Sequence, residues 1–230
     1  MDIQPGDKVV IKYTISEIRG KIQAAFNVII IVFVGTGTSI MMNNTTSGSG
    51  LTAVGFENFK FFTVLSNELC GVVAVLWLIF WLINKSFPAM LKLITASAVG
   101  LTFLIIAAFL APMYPQLNLY DGSNLYFHLL VPLVAMVEFI LMEVKEEISF
   151  RYTLIAAACS LIYGLGYYIN IVKNGIGEWP DTNDWYGFLN WGYPIGFVIF
   201  GFIILMNWGM ACLLRFLNKL IGKVFEKEVN

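Results

Sequence analysis

The chain has 230 residues, of which 58% are hydrophobic and 13% are charged, whereas an ordinary soluble domain carries about 25% charged residues. Its formal net charge is -1, from 14 basic and 15 acidic residues, so no basic surplus is available to neutralise a phosphate backbone. The composition therefore excludes nucleic-acid binding and, with a mean hydropathy of +0.76, indicates a protein embedded in a lipid bilayer.

Six stretches are each about as long and as apolar as a membrane-spanning helix, which needs roughly 20 mostly apolar residues. In chain order they cover residues 22–42, 61–83, 91–111, 125–144, 153–172 and 193–214. The first is longer than the apolar region of a signal peptide, so we expect an uncleaved span. The prediction is an all-α, multi-pass integral membrane protein with a single six-helix domain over residues 1–214.

Lys and Arg are distributed unevenly between the connections. Twelve lie in the two tails and in the turns at 84–92 and 145–152, which all fall on one side of a six-span chain, whereas only Lys60 and Lys173 lie on the other side. Because basic residues favour the cytoplasmic side, both termini are predicted to be cytoplasmic. The opposite connection at 173–192 contains Trp179, Trp185, Tyr186 and Trp191 and is typical of an interfacial lid.

Residues 215–230 form a predicted amphipathic cytoplasmic tail. Phe216, Leu220 and Val224 recur at helical spacing, and the basic residues lie mostly off that stripe. Two interpretations stay open: a helix lying along the inner leaflet, or a simple extension of the sixth span.

Polar side chains inside a span are costly in lipid, so each is a candidate functional residue. Thr63, Ser66, Asn67 and Cys70 share one face of the second span, because they follow i, i+3, i+4, i+7 spacing. Such a face can also serve as hydrogen-bonding glue between helices. The other cysteines, Cys159 and Cys212, lie far away in apolar runs, so neither a disulfide framework nor a zinc site is predicted.

His128, in the fourth span, is the only histidine in the chain. Thr63 and His128 each lie about three residues inside spans that begin on the same side, so we expect both at one level near the outer headgroups. Pro132 lacks an N–H, so the carbonyl of His128 should lose its usual donor and the helix should kink there. A hydrogen-bonded interfacial histidine and a proline kink that serves packing remain the alternative.

Two glutamates, Glu68 and Glu138, also fall inside spans. No Lys or Arg is expected to lie deep enough to pair with either of them, so we predict that each is protonated or bonded to a Tyr or Asn. A structural role is favoured, with a proton relay as the rival.

Three short motifs follow one another in a characteristic order. They read Phe-Phe-Thr-Val-Leu-Ser-Asn at residues 61–67, His-Leu-Leu-Val-Pro at residues 128–132 followed by Glu138, and Asp-Trp-Tyr-Gly-Phe-Leu-Asn at residues 184–190. Together they resemble the androgen-induced-gene family of six-span membrane proteins, over about residues 57–195. The third motif is similar to one in the bacterial branch of that family, where an Asp is usual at the position of Asn190.

The resemblance implies a threonine hydrolase that cleaves esters of hydroxy fatty acids near the outer, non-cytoplasmic leaflet. Thr63 would be the nucleophile and His128 the base, with no metal or organic cofactor, and the partners would be a lipid substrate and the bilayer. The candidate oxyanion donors are Asn67 and the tyrosines near the outer end of the fifth span. The candidate substrate-binding residues as a set are Asn67, Tyr167, Asn170, Trp185 and Tyr186.

Two other functions stay open at this stage. One is a small channel or transporter in which Glu68, Glu138, Asn207 and His128 line a polar path. The other is an acyltransferase on the same scaffold, which would pass the acyl group to a lipid alcohol. The sequence does not distinguish hydrolysis from acyl transfer, and it leaves the oligomeric state open.

Overall fold

The computed structural model describes residues 5–43, 53–143, 148–178 and 182–229. Trp179 of the predicted lid and Lys145 of the basic count lie outside the described residues. All regular secondary structure in the described ranges is helical, as the composition predicts.

Six long helices carry the fold in the described part of the chain: α1 (Pro5–Asn43), α2 (Phe62–Leu82), α3 (Ala89–Met113), α4 (Ser123–Met142), α5 (Phe150–Asn174) and α6 (Tyr193–Val229). A 3-10 turn at Gly55–Lys60 precedes α2. Each long helix contains a stretch long and apolar enough to cross a membrane. This confirms the six predicted spans.

The helix ends follow from local chemistry. Pro88 precedes the start of α3, and the side chain of Ser149 accepts the backbone N–H of Arg151 at the start of α5. Gly175 ends α5 with φ of +77°, a left-handed conformation that only glycine adopts without strain. We call the end of the bundle that carries Gly55–Lys60 and residues 182–192 the aromatic end.

Helix α3 lies at the centre of the bundle. It packs against α2, α4, α5 and α6, and its residues 92–102 are all buried. Ala96, Ala98 and Gly100 lie in this run, and such small residues let neighbouring helices approach closely. A Cβ atom on Gly100 would lie only 3.0 Å from atoms of Met136 and Met210. The centre of the bundle is therefore packed without space for larger side chains.

A buried ion pair joins α3 to α4 at the end opposite the aromatic end. Lys92 Nζ lies 3.3 Å from Glu138 Oε1, and the two side chains are 4% and 1% exposed. Lys92 also donates to Asn27 Oδ1, and Gln23 Nε2 donates to Glu138 Oε1 at 2.8 Å. The expectation that no Lys reaches Glu138 is wrong. Lys92 was counted with the 84–92 connection, but it lies in the first turn of α3 and its side chain is buried inside the bundle, where it faces Glu138.

The other intramembrane glutamate, Glu68, also has a partner. Thr38 Oγ1 on α1 donates to Glu68 Oε1. The partner is therefore a threonine hydroxyl on the neighbouring helix rather than the expected Tyr or Asn.

Helix α6 continues past residue 214, the predicted end of the sixth span, without a break. Arg215 Nε donates to the carbonyl of Ile148 at 2.6 Å, and Asn218 Nδ2 donates to the carbonyl of Phe139 at 3.1 Å. The first turn of the predicted tail thus packs on the ends of α4 and α5. Whether its distal part lies along the leaflet stays a prediction.

Candidate functional site

The site forms around an irregular turn of α4. The π turn Tyr126–Leu130 comes directly before Val131 and Pro132, and the backbone N–H of Val131 donates to the carbonyl of Tyr126. In a regular α-helix that N–H would serve Phe127. The carbonyl of Phe127 therefore loses its helical donor, and Pro132 has no N–H to replace it. The sequence predicted a kink and a lost donor at the carbonyl of His128; the structure has a π turn there, which also removes the helical donor of Phe127, one residue earlier.

Asn67 supplies the missing donor from α2. Its Nδ2 atom donates to the carbonyl of Phe127 at 3.1 Å and to the carbonyl of Thr63 at 2.7 Å, and the side chain is fully buried. One nitrogen thus holds the first turn of α2 against the π turn that carries His128. Both hydrogens of this amide are used, so Asn67 is not free to donate to a substrate oxyanion.

His128 is buried in the π turn. Its Nδ1 atom lies 2.7 Å from the carbonyl oxygen of Leu119, in the connection between α3 and α4. A carbonyl oxygen only accepts hydrogen bonds, so Nδ1 must carry the proton. In the neutral ring, Nε2 is then left with a free lone pair, which is the form a general base requires.

Thr63 and His128 line the same cavity, which has a volume of about 690 Å³ and is bounded by side chains of α2, α3, α4, α5 and α6. Most of its walls are apolar, and the polar groups among the described lining residues are the histidine, amides and hydroxyls. None of those described residues is an Asp, Glu, Lys or Arg. The cavity therefore suits the apolar, uncharged part of a ligand, and a charged head group would have to lie outside it.

Two tyrosine hydroxyls form hydrogen bonds to the backbone at the start of α2. The backbone N–H of Phe62 donates to Tyr186 Oη at 2.8 Å, and Tyr163 Oη donates to the carbonyl of Lys60 at 2.6 Å. The rings of Tyr163 and Tyr186 pack edge-on, with their centroids 6.4 Å apart. Burial raises the pKa of Tyr186 well above its ordinary value, which keeps this phenol protonated.

Asp184 fixes the loop that closes the aromatic end. Its buried carboxylate accepts the backbone N–H groups of Phe188 at 3.0 Å and Leu189 at 2.9 Å, and it also accepts the hydroxyl of Tyr167. The ring of Trp185 packs edge-on against Tyr167 with the centroids 4.7 Å apart. A loop held in this way forms a rigid wall of the cavity.

The structure brings together some of the predicted site residues and separates others. Tyr167 and Tyr186 line the cavity with the catalytic candidates. Asn67, Asn170 and Trp185 are not among its described lining residues. Asn170 instead donates to Asn183 at 2.9 Å, and Trp185 donates through Nε1 to Tyr163 at 3.1 Å. These three residues support the walls of the site rather than its surface.

The residues of the alternative polar path do not converge in this cavity. Glu68 and Glu138 are bound to partners in other parts of the bundle. Asn207 donates to Ser160 Oγ at 3.1 Å. Of the four residues proposed for the path, only His128 is among the described lining residues.

Two contributors to the site were missed as site residues from the sequence. Tyr163 lines the cavity, and its polar character inside a span was a signal that could have found it. The carbonyl of Leu119 orients His128, and a backbone carbonyl has no sequence signal.

Within the described ranges, no group of three His, Cys, Asp or Glu side chains is placed to hold a metal ion. Cys70, Cys159 and Cys212 are all free thiols. Among the described residues that line the cavity, His128 is the only imidazole, carboxylic acid or thiol side chain.

No protein-family model matches this chain, and neither a curated protein nor a solved structure matches it. The likeness to the androgen-induced-gene family thus rests on the three motifs at residues 61–67, 128–138 and 184–190.

Proposed function

We propose that the protein is an intramembrane lipid-ester hydrolase with Thr63 as nucleophile and His128 as general base. One observation carries the proposal: both residues line one apolar cavity, and the bond from His128 Nδ1 to Leu119 leaves Nε2 unprotonated. Within the described residues the Thr63 hydroxyl has no hydrogen bond, to His128 or to any other group, so the proposed proton transfer requires these two side chains to meet when the ester binds. The esters of hydroxy fatty acids implied by the motif resemblance are the first substrates to test.

The reaction proceeds in two halves. His128 Nε2 accepts the proton of the Thr63 hydroxyl as Oγ1 attacks the ester carbonyl carbon, and the histidine returns this proton to the departing alcohol. The ester C–O bond breaks and an acyl-threonine remains. Water, deprotonated by His128, then attacks the acyl-threonine carbonyl, and the fatty acid leaves as Thr63 regains its proton.

The oxyanion is assigned to backbone donors at the start of α2. The first N–H groups of a helix have no acceptor within the helix, and that of Phe62 is occupied by Tyr186. The N–H groups of Thr63 and Val64 remain at this positive helix end, which favours a developing negative charge.

Lateral access from the bilayer suits this geometry. Phe109 on α3 and Phe202 on α6 line the cavity, and they are also 41% and 53% exposed on the helix surfaces. A lipid can therefore reach the cavity between helices without leaving the membrane. The basic residues of the tails and turns support a cytoplasmic location for both termini, which assigns the aromatic end to the outer leaflet.

The test is ester hydrolysis by the purified protein in detergent or nanodiscs. Thr63→Ala and His128→Ala are each expected to lower kcat at least 100-fold, whereas Ser66→Ala is the matched control, because the Ser66 hydroxyl bonds only within its own helix. A fluorophosphonate probe should form its adduct on Thr63. Full activity of either catalytic variant, or an adduct on Ser66 or Cys70, would overturn the proposal.

Acyl transfer is the second function that the same site supports, because its walls are apolar and water must compete with lipid alcohols for the acyl-threonine. Adding a monoacylglycerol to the assay separates the two. Hydrolysis predicts free fatty acid as the main product, whereas a dominant new ester would identify a transferase.

A further inference from the structure

The cavity extends away from Thr63 as an apolar arm between α3, α5 and α6. We call the part lined by Leu101, Thr102, Ser160, Phe200, Ile203 and Met206 the acyl arm. Along α5, Ser160 lies four residues beyond Gly164, and along α6, Met206 lies six residues beyond Phe200, which corresponds to an arm of about 6–9 Å at helical rise.

The hydrogen bond between Asn207 and Ser160 marks the deep end of the arm, which we call its floor. Asn207 Nδ2 donates to Ser160 Oγ at 3.1 Å and thereby joins α6 to α5 at the level of Ser160. The Ser160 hydroxyl itself donates to the carbonyl of Ala157 at 2.9 Å, and the Thr102 hydroxyl donates to the carbonyl of Ala98. The hydroxyls of Ser160 and Thr102 are therefore satisfied by their own helices, whereas Asn207 Oδ1 is buried without a hydrogen-bond partner among the described residues. The rest of the arm is lined by apolar side chains.

Gly164 and Phe200 meet where the arm joins the rest of the cavity. A Cβ atom built on Gly164 would lie 1.7 Å from two ring carbons of Phe200, so the phenyl ring occupies the space of the missing side chain. Both residues line the cavity. The width of the passage is thus set by the position of one aromatic ring, and that position depends on a glycine.

The ring of Phe200 also packs against other side chains near Gly164. Tyr168 packs against it edge-on, with the centroids 5.6 Å apart, and Leu189 belongs to the same buried cluster. If a methyl group were placed on Gly164, the ring would have to withdraw until it reached at least 3.4 Å, where ordinary contact begins. Because Gly164 and Phe200 both line the cavity, the added methyl group and the displaced ring would together take up space at this point of it.

We infer that Gly164 and Phe200 determine the length of the acyl chain that this site accepts. The acyl chain lies in the arm with its terminal methyl group towards the Asn207–Ser160 floor, and its ester carbonyl lies at Thr63. The inference rests on the proposed function for the identity of the ligand as an ester.

The test is a chain-length profile of kcat/KM for para-nitrophenyl butanoate, octanoate, dodecanoate and hexadecanoate. Each methylene that no longer finds a place in the arm is expected to cost about fourfold in kcat/KM. For Gly164→Ala, the ratio of long-chain to butanoate activity should therefore fall about tenfold or more. Gly166→Ala is the matched control, because it lies on the same helix and a Cβ atom there meets nothing within 4 Å, so its profile should follow the wild type. Identical profiles for Gly164→Ala and Gly166→Ala would overturn the inference.

A second pair of variants covers the case in which Gly164→Ala fails to fold. Phe200→Leu shortens the ring side chain and should move the profile towards longer chains. In Gly164→Ala/Phe200→Leu the smaller leucine leaves space for the added methyl group, so the wild-type profile should return. An unchanged profile in Phe200→Leu would also overturn the inference.

A binding measurement separates this inference from the proposed hydrolysis. Photoreactive fatty alcohols of the same four lengths are crosslinked to the protein, with the wild type and Gly164→Ala compared by mass spectrometry of the labelled peptides. Loss of long-chain labelling at α5 and α6 in Gly164→Ala supports the acyl arm even if no ester is hydrolysed. Ester hydrolysis with labelling that is equal in both proteins would preserve the proposed function and refute the arm.

Discussion

Asn67 is the residue whose replacement tests the architecture of the site most directly. Asn67→Ala removes the nitrogen that donates to the carbonyls of Thr63 and Phe127 at 2.7 and 3.1 Å. The Phe127 carbonyl is then buried without a donor, since Pro132 cannot supply one. Hydrogen bonds between membrane helices contribute about 0.6 to 2 kcal/mol. We expect the free energy of unfolding to fall by an amount in that range.

The expected loss of activity is larger than this loss of stability. Without the amide, the first turn of α2 is no longer fastened to the π turn that carries His128. A displacement of about 1 Å between reacting groups lowers the rate about 100-fold, which is equivalent to about 2.7 kcal/mol. Kinetics should therefore show kcat reduced about 100-fold with little change in KM. Ser66→Ala, one residue away on the same helix, should retain both activity and stability.

A double variant distinguishes two roles of Asn67: holding α2 against α4, and donating a hydrogen bond to the buried carbonyl of Phe127. Pro132→Ala restores a backbone N–H and lets α4 complete its own hydrogen bonds, so adding it to Asn67→Ala should recover the stability measured by thermal unfolding. The link between α2 and α4 stays absent, so kcat should not recover. If kcat and stability return together, Asn67 has no positioning role.

Three further predictions concern other parts of the molecule. Lys92→Met should lower the free energy of unfolding by about 3–5 kcal/mol, because it leaves the Glu138 carboxylate buried without its counter-charge. In thermal unfolding, the double variant Lys92→Met/Glu138→Leu should lose less stability than the single variant. If both variants lost the same amount of stability, the ion pair would be contradicted. Asp184→Asn replaces a carboxylate that accepts two backbone N–H groups by an amide with only one oxygen, so the loop should become less firmly held. In steady-state assays this variant should raise KM more than it lowers kcat. The reverse pattern would give Asp184 a part in the reaction. Ser86 and Glu178 are both exposed and lie at opposite ends of the bundle. When each is replaced by cysteine, a membrane-impermeant thiol reagent applied to intact cells should label position 178 and not position 86. Labelling of position 86 alone would show the opposite topology.

The sequence by itself determined the membrane-spanning helices. A bilayer requires that each crossing segment be long, apolar and hydrogen-bonded within itself, and these demands act on consecutive residues. Hydropathy therefore located all six spans of the described chain. The irregular turn beside Pro132 was also predictable, because the missing N–H is a property of the residue itself.

Tertiary structure decided which groups meet. Lys92 pairs with Glu138, Asn67 reaches the carbonyl of Phe127, and His128 is oriented by the carbonyl of Leu119. Each contact depends on which helix faces touch and at what level, so the position of Lys92 at the end of a connection did not show that it faces Glu138. Backbone carbonyls are chemically identical at every residue, so no pattern of side chains shows which of them will be left without a donor and which will orient a histidine. Only the packed bundle, which fixes the rotation and depth of each helix against its neighbours, determines these partners.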